Sequence, residues 1–126
     1  MNPKKIYVID NGFYSLHQFN PDKGKQYENV VFLHLRRMYN DIYYFKASQE
    51  VDFCIETPQG ILLINVSYEL SGNSTREREI NGLTEAMQSL QTPHSLLITR
   101  DAEEIIPTPS GQIHVIPLYK WLLDTF

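Results

Sequence analysis

The chain has 126 residues, of which 42% are hydrophobic and 21% charged, and its formal net charge is −4. These values are typical of one globular domain, and we expect a single domain over residues 1–126. The negative charge argues against a surface that is basic throughout, so contact with DNA or RNA would need a local basic patch. No apolar run reaches the ~20 residues of a membrane span, and no secretory leader is evident. We therefore expect a cytoplasmic protein with no membrane partner.

Several common kinds of site are excluded by missing patterns. Cys54 is the only cysteine and the four histidines are scattered, so we predict no zinc site. The chain has no G-x-S-x-G turn for a serine hydrolase and no glycine run after its first strand for a dinucleotide.

Hydrophobic periodicity predicts elements along the whole chain. A strand over residues 5–10 is followed by a turn and a short helix in "NGFYSL". The next helix runs from about Asp22 to Tyr39, with a buried stripe of Tyr27, Val30, Val31, Leu35 and Met38.

The second half of the chain continues the alternation of strands and helices. The remaining elements are a strand over 41–47, a hairpin within 50–70, a helix over 73–90, a strand over 94–100, an edge pair of strands over 103–117 and a closing helix over 118–126. Ser74 and Glu77 have capping-box spacing at the start of the second long helix. This order predicts an α/β fold, with a mixed central β-sheet flanked by helices.

The hairpin "EVDFCIETPQGILLINVSYEL" carries an isolated polar cluster. If its turn is centred on Pro58 and Gln59, Asp52 faces Asn65, with opposed Cβ atoms ~5 Å apart. Strand alternation then places Asn65 and Ser67 on the face of Asp52 and Cys54. The opposite face would carry Val51, Phe53, Ile64 and Val66.

Glu28 is a second acid of interest, because it lies beside the apolar stripe of the first long helix. Acids rarely point inward unless they are paired, hydrogen-bonded or metal-bound. Periodicity favours a side chain that snorkels from the helix edge. The alternative is an inward carboxylate that joins Asp52.

Six blocks of the sequence resemble one family from end to end. They are "NPKKIYVIDNGF", "KGKQYENVVFLHLRR", "DIYYFKA", "EVDFCI", "LLINVSYELSGNSTREREINGL" and "IHVIPLYKWLL". The family is the C-terminal domain of a widespread group of prokaryotic AAA-type ATPases. The resemblance implies a restriction-endonuclease-like core of the PD-(D/E)XK class, preceded in whole proteins by a P-loop ATPase domain. The chain has no GxxxxGK[ST] run, so we expect a domain excised from a larger ATPase, with a stand-alone relative as the alternative.

The PD-(D/E)XK resemblance also implies positions for site residues. Glu28 takes the place of the helix acid and Asp52 that of the hairpin acid, and Asn65-Val66-Ser67 takes the place of E-x-K. In that class the carboxylates hold Mg²⁺, which activates water. Asparagine is neutral and serine cannot replace an ammonium group. We therefore predict a degenerate, inactive site without a cofactor, and Mg²⁺ or Mn²⁺ as the ion if Glu28 and Asp52 hold one.

The preferred function is a non-catalytic accessory domain of an ATPase that binds nucleic acid or a protein partner. Arg76 and Lys46 are its candidate binding residues. Arg76 would pair with Asp52 or Glu69, or meet a phosphate near the helix N-terminus. Lys46 would reach into the site from the neighbouring strand.

Two other functions are alternatives. One is an active Mg²⁺- or Mn²⁺-dependent nuclease that uses Glu28 and Asp52, with Asn65 as a neutral ligand. The other is a structural or dimerisation module with an exposed aromatic patch. That patch would consist of Tyr43, Tyr44, Phe45 and Tyr68, which would otherwise belong to the core.

Overall fold

The computed structural model describes residues 6–9 and 22–124, and within them a seven-stranded sheet carries three helices. The strands are β1 (Ile6–Val8), β2 (Tyr43–Lys46), β3 (Glu50–Thr57), β4 (Gly60–Ser67), β5 (His94–Thr99), β6 (Glu104–Thr108) and β7 (Gly111–Pro117). The helices are α1 (Lys23–Met38), α2 (Asn73–Leu90) and α3 (Leu118–Asp124). The predicted α/β class is confirmed. The short helix predicted in "NGFYSL" lies outside the described residues.

The sheet is mixed, in the order β1-β2-β3-β4-β5-β7-β6. The first four strands form antiparallel pairs, β5 is parallel to both β4 and β7, and β6 is antiparallel to β7. Helix α2 makes the crossover between the parallel neighbours β4 and β5, which a tight turn cannot join. Of the pair predicted for the edge, β6 is the edge strand and β7 lies inside the sheet.

The β3–β4 hairpin has the predicted register. Phe53 pairs with Ile64, and Thr57 pairs with Gly60 around a turn at residues 58 and 59. Gly60 has a φ of 116°, a left-handed conformation that glycine adopts without a steric penalty. The two strands therefore bring Asp52 next to Asn65, as the sequence predicted.

Apolar side chains cover both faces of the sheet. Helices α1 and α3 pack on one face with Phe53, Ile64 and Val66. Helix α2 packs on the other face with Cys54, Leu63 and Leu97. Trp121 of α3 contacts His34 of α1 edge to face, at a centroid distance of 4.9 Å, and this contact joins the two helices on the first face.

A β-bulge interrupts β3 at the candidate site. Tyr43 pairs with Cys54 and Phe45 with Val51, so two residue steps on β2 oppose three on β3. Bulges re-aim side chains and are frequent beside functional sites. Because of the extra residue, Val51 packs in the same core as Cys54. The prediction that Val51 shares a face with Phe53 is therefore wrong.

Three local predictions also need correction. Val30 and Met38 are 40% and 41% exposed, and the buried residues of α1 are instead Val31, Phe32, His34 and Leu35. Helix α2 is capped by Gly72 without a side-chain hydrogen bond, so the predicted capping box is absent. Phe45 is fully buried, and Tyr43, Tyr44 and Tyr68 are half-buried, so these residues follow the core alternative and not that of an exposed patch.

Candidate functional site

The start of β3 is joined to the end of β4 through side chains. The backbone N–H of Asp52 donates to Asn65 Oδ1 over 2.8 Å. In return, Asp52 Oδ2 accepts from the backbone N–H of Val66 over 2.8 Å. Beyond the pair of Phe53 and Ile64, these two bonds continue the connection between the strands.

Asn65 extends this network to helix α2. Its side chain is 3% exposed, and its Nδ2 donates to Glu79 Oε2 over 2.9 Å. Both ends of the amide are thus engaged. Ser67, which is also buried, donates its hydroxyl proton to the backbone oxygen of Glu69 over 3.1 Å. The positions that correspond to E-x-K therefore make hydrogen bonds within the protein.

Helix α1 brings Glu28 and Lys25 to the same site. Their side chains form an ion pair, with Lys25 Nζ 3.2 Å from Glu28 Oε2, and that of Glu28 is 17% exposed. Tyr27 packs edge to face on Tyr68 at the end of β4, at 4.9 Å, and the Arg100 guanidinium lies 5.4 Å from the Tyr68 ring. These aromatic contacts hold the first turn of α1 against the sheet. The partly buried Glu28 acts electrostatically on Asp52 and Glu79, which favours the inward orientation over the snorkelling one.

The electrostatics of the site centre on Asp52. Burial raises the pKa of Asp52 well above its ordinary value, and the negative charges of Glu28 and Glu79 raise it further. The Val66 N–H and the Lys25 ammonium oppose this pKa shift. Burial also raises the pKa of Glu79, against the effects of Arg78 and of the Asn65 hydrogen bond. Carboxyl groups from a strand and both neighbouring helices therefore act on one another here.

A polar cleft of about 330 Å³ opens beside this network. Its lining consists of Ser48, Gln49, Glu50, Asp52, Asn65, Arg78 and Glu79. The turn before β3 forms one wall and is fastened to α2, because the Ser48 hydroxyl and the Gln49 N–H both donate to the Glu85 carboxylate. Gly82 of α2 lies opposite this turn, where a Cβ would make ordinary van der Waals contact with Gln49 Cβ at 3.4 Å.

The two predicted binding residues lie away from the network. Arg76 does not pair with Asp52 or Glu69, because its guanidinium makes a two-pronged ion pair with Glu104, at 3.0 and 2.7 Å. The side chain of Lys46 is 58% exposed, with its Nζ 3.9 Å from Glu50 Oε1. Both cations are thus already paired with carboxylates.

Two site residues escaped the sequence analysis. Glu79 lies four residues before the buried Leu83, so extending the buried face of α2 by one turn would have found it. Lys25 lies one turn before Glu28, and the same helical spacing would have placed it beside that acid. For Glu79 the signal was an acid on the buried face of α2, and it was obscured by the neighbouring charged residues in "REREI".

The donor set does not fit the Mg²⁺ site that the resemblance implies. Mg²⁺ demands near-ideal octahedral coordination by oxygen. The Asn65 oxygen and one Asp52 oxygen instead accept backbone N–H groups. Among residues 6–9 and 22–124, no three His, Cys, Asp or Glu side chains converge closely enough to hold a metal ion.

Comparison with known proteins supplies a family. The model of a domain of unknown function, DUF4143, matches residues 23–121. The uncharacterized protein MJ1544 of Methanocaldococcus jannaschii is 34% identical over an aligned length of 130 residues, and the match covers 94% of this chain and 29% of that protein. The chain thus spans less than a third of the length of this relative. No solved structure matches this chain. No helix in the described part of the chain is long and apolar enough to cross a membrane.

Proposed function

We propose that this chain, which belongs to the DUF4143 family, is a non-catalytic accessory domain that binds a partner within a larger ATPase-associated protein. The observation that carries the proposal is the state of the nuclease-like hairpin. Asp52, Asn65 and Ser67 use their polar atoms in bonds to the protein's own backbone and to Glu79. Such a network stabilises the fold and leaves few groups to bind a metal or activate water.

The larger protein is part of the proposal. DUF4143 domains typically occur in AAA-ATPase-associated proteins, and the archaeal relative is more than three times as long as its matched region. A mixed sheet with α1 packed against the β3–β4 hairpin agrees with a restriction-endonuclease-like core. On this proposal, a P-loop ATPase domain of the same protein is the first partner to consider.

Ion pairs among the surface charges favour a protein partner over nucleic acid. Arg76 pairs with Glu104, Arg100 with Glu69 and Asp101, and Lys120 with Glu103. A phosphate would have to displace these carboxylates. Nucleic-acid affinity depends on the number of cations that neutralise phosphates, so we expect any such binding to be weak.

The alternative is an active Mg²⁺- or Mn²⁺-dependent nuclease that uses Glu28 and Asp52. One observation favours it. Glu79 and Lys25 bring a third carboxylate and an ammonium group to the hairpin acid, both of them from helices. These are the two kinds of group that the Asn65-Val66-Ser67 segment lacks.

One assay separates the two functions. Labelled duplex and single-stranded DNA and RNA are incubated with the protein and Mn²⁺, at salt concentrations from low to physiological. We expect no cleavage, and weak binding that is lost before physiological salt. Cleavage that Asp52→Asn abolishes and Glu56→Gln retains would contradict the proposal in favour of the nuclease. Glu56 is the matched control because it lies on the same strand, is exposed and does not line the polar cleft.

A further inference from the structure

The buried amide of Asn65 lies where three structural elements meet. Its oxygen accepts from the backbone of β3, its own backbone belongs to β4, and its nitrogen donates to Glu79 of α2. The negative charge of Glu28 on α1 raises the pKa of both Glu79 and Asp52. A positively polarised group at this point therefore offsets the crowding of carboxylates.

We propose that the Asn65 side-chain amide takes the structural place of a cation in this site. This inference rests on the proposed non-catalytic function, since an active metal centre would hold a cation here. The amide donates an N–H to a carboxylate, as an ammonium group or a metal-bound water does. Because it is neutral, it avoids the cost of burying an ion. It also accepts the Asp52 N–H, which a cation cannot do.

If the amide replaces a cation, the stability of the site depends on Asn65 being the donor and Glu79 the acceptor of their hydrogen bond. In Asn65→Asp, the donor is lost and another carboxylate is buried beside Glu79 and Asp52, so the variant should need a cation. In the double variant Asn65→Asp/Glu79→Gln, donor and acceptor are exchanged. The number of carboxyl groups then equals that of the wild type, and the bond can re-form with the amide on α2.

Thermal unfolding with EDTA or with Mn²⁺ tests the inference. We expect Asn65→Asp to melt roughly 5 to 10 °C below wild type in EDTA, and Mn²⁺ to recover part of this loss by binding the folded state. The exchanged double variant should recover at least half of the loss in EDTA. It can be measured even if the single variant does not fold.

Two results would overturn the inference. One is a double variant that melts no higher than Asn65→Asp in EDTA, and the other is an Asn65→Asp protein that Mn²⁺ does not stabilise. A wild-type protein whose melting temperature rises with Mn²⁺ would instead overturn the proposed function. The variants thus test the role of the Asn65 amide, whereas the response of the wild type to Mn²⁺ tests the proposed function.

Discussion

Replacing Asp52 with asparagine is expected to raise the free energy of unfolding at neutral pH by about 1 to 2 kcal/mol, the range of a good stabilising substitution. The reason is that burial and the charges of Glu28 and Glu79 disfavour the ionised carboxylate. An asparagine oxygen can still accept from the Val66 N–H. The substitution therefore removes a charge without removing the hydrogen bond.

The pH dependence of this gain follows from the direction of the shift. The folded-state pKa of Asp52 lies above its unfolded value, so the folded chain binds more protons between these two pKa values. Wild-type stability must then fall as pH rises through that interval and stay at the lower level above it. Below the ordinary carboxyl pKa of about 4, this electrostatic difference between variant and wild type should vanish.

Urea unfolding of both proteins over a pH series measures the effect. Glu50→Gln on the same strand is the control, and its exposed side chain should change stability by no more than about 0.5 kcal/mol. A gain for Asp52→Asn that stays constant with pH would point to packing and contradict the electrostatic account. A loss of stability would mean that the ionised carboxylate is favoured in the folded state.

Gly111→Ala is expected to lower the free energy of unfolding by about 3 to 5 kcal/mol, a larger effect than that of Asp52→Asn and in the opposite direction. Gly111 has a φ of 152°, and a Cβ there would lie 2.2 Å from the backbone oxygen of Pro93 and 2.6 Å from its Cα. The alanine therefore adds backbone strain to a clash with backbone that cannot turn aside. The same oxygen accepts the Gln112 N–H over 3.1 Å, so the clash would also disturb that bond.

Gly60→Ala separates backbone strain from the steric clash as causes of the stability loss in Gly111→Ala. Gly60 also has a positive φ, at 116°, but no atom lies within 4 Å of the position of its Cβ. Its substitution should cost only the conformational strain, about 1 to 2 kcal/mol. Denaturant unfolding of both variants gives the comparison. Equal losses would show that strain alone accounts for Gly111, without the contact to Pro93.

The sequence predicted the hairpin well because two independent signals agree there. The turn at Pro58 and Gln59 sets the register, and strict alternation sets the faces, so the proximity of Asp52 and Asn65 followed. The bulge was not predictable, because an extra residue in β3 leaves no compositional mark in "EVDFC". Its effect on Val51 depends on how β2 pairs, which is a long-range property.

The helices show why periodicity finds an element more easily than it finds the buried face. Helix α1 has apolar residues on most of its surface, so Val30 and Met38 fit a stripe as well as Phe32 does, and only packing on the sheet decides between them. In α2, the run "REREI" hides Glu79 among solvated charges. Arg76 was predicted to pair with Asp52 or Glu69, and its actual partner, Glu104, was not foreseen because it comes from a strand that is distant in the sequence.

Calorimetric titration of the wild-type protein and Asp52→Asn with Mn²⁺ near neutral pH tests the central claim most directly. If the hairpin site is satisfied by its own hydrogen bonds, neither protein will release or absorb heat beyond dilution at submillimolar Mn²⁺. Submillimolar binding by the wild type that Asp52→Asn abolishes would contradict this account, because it would mean that the carboxylates still assemble around a metal ion.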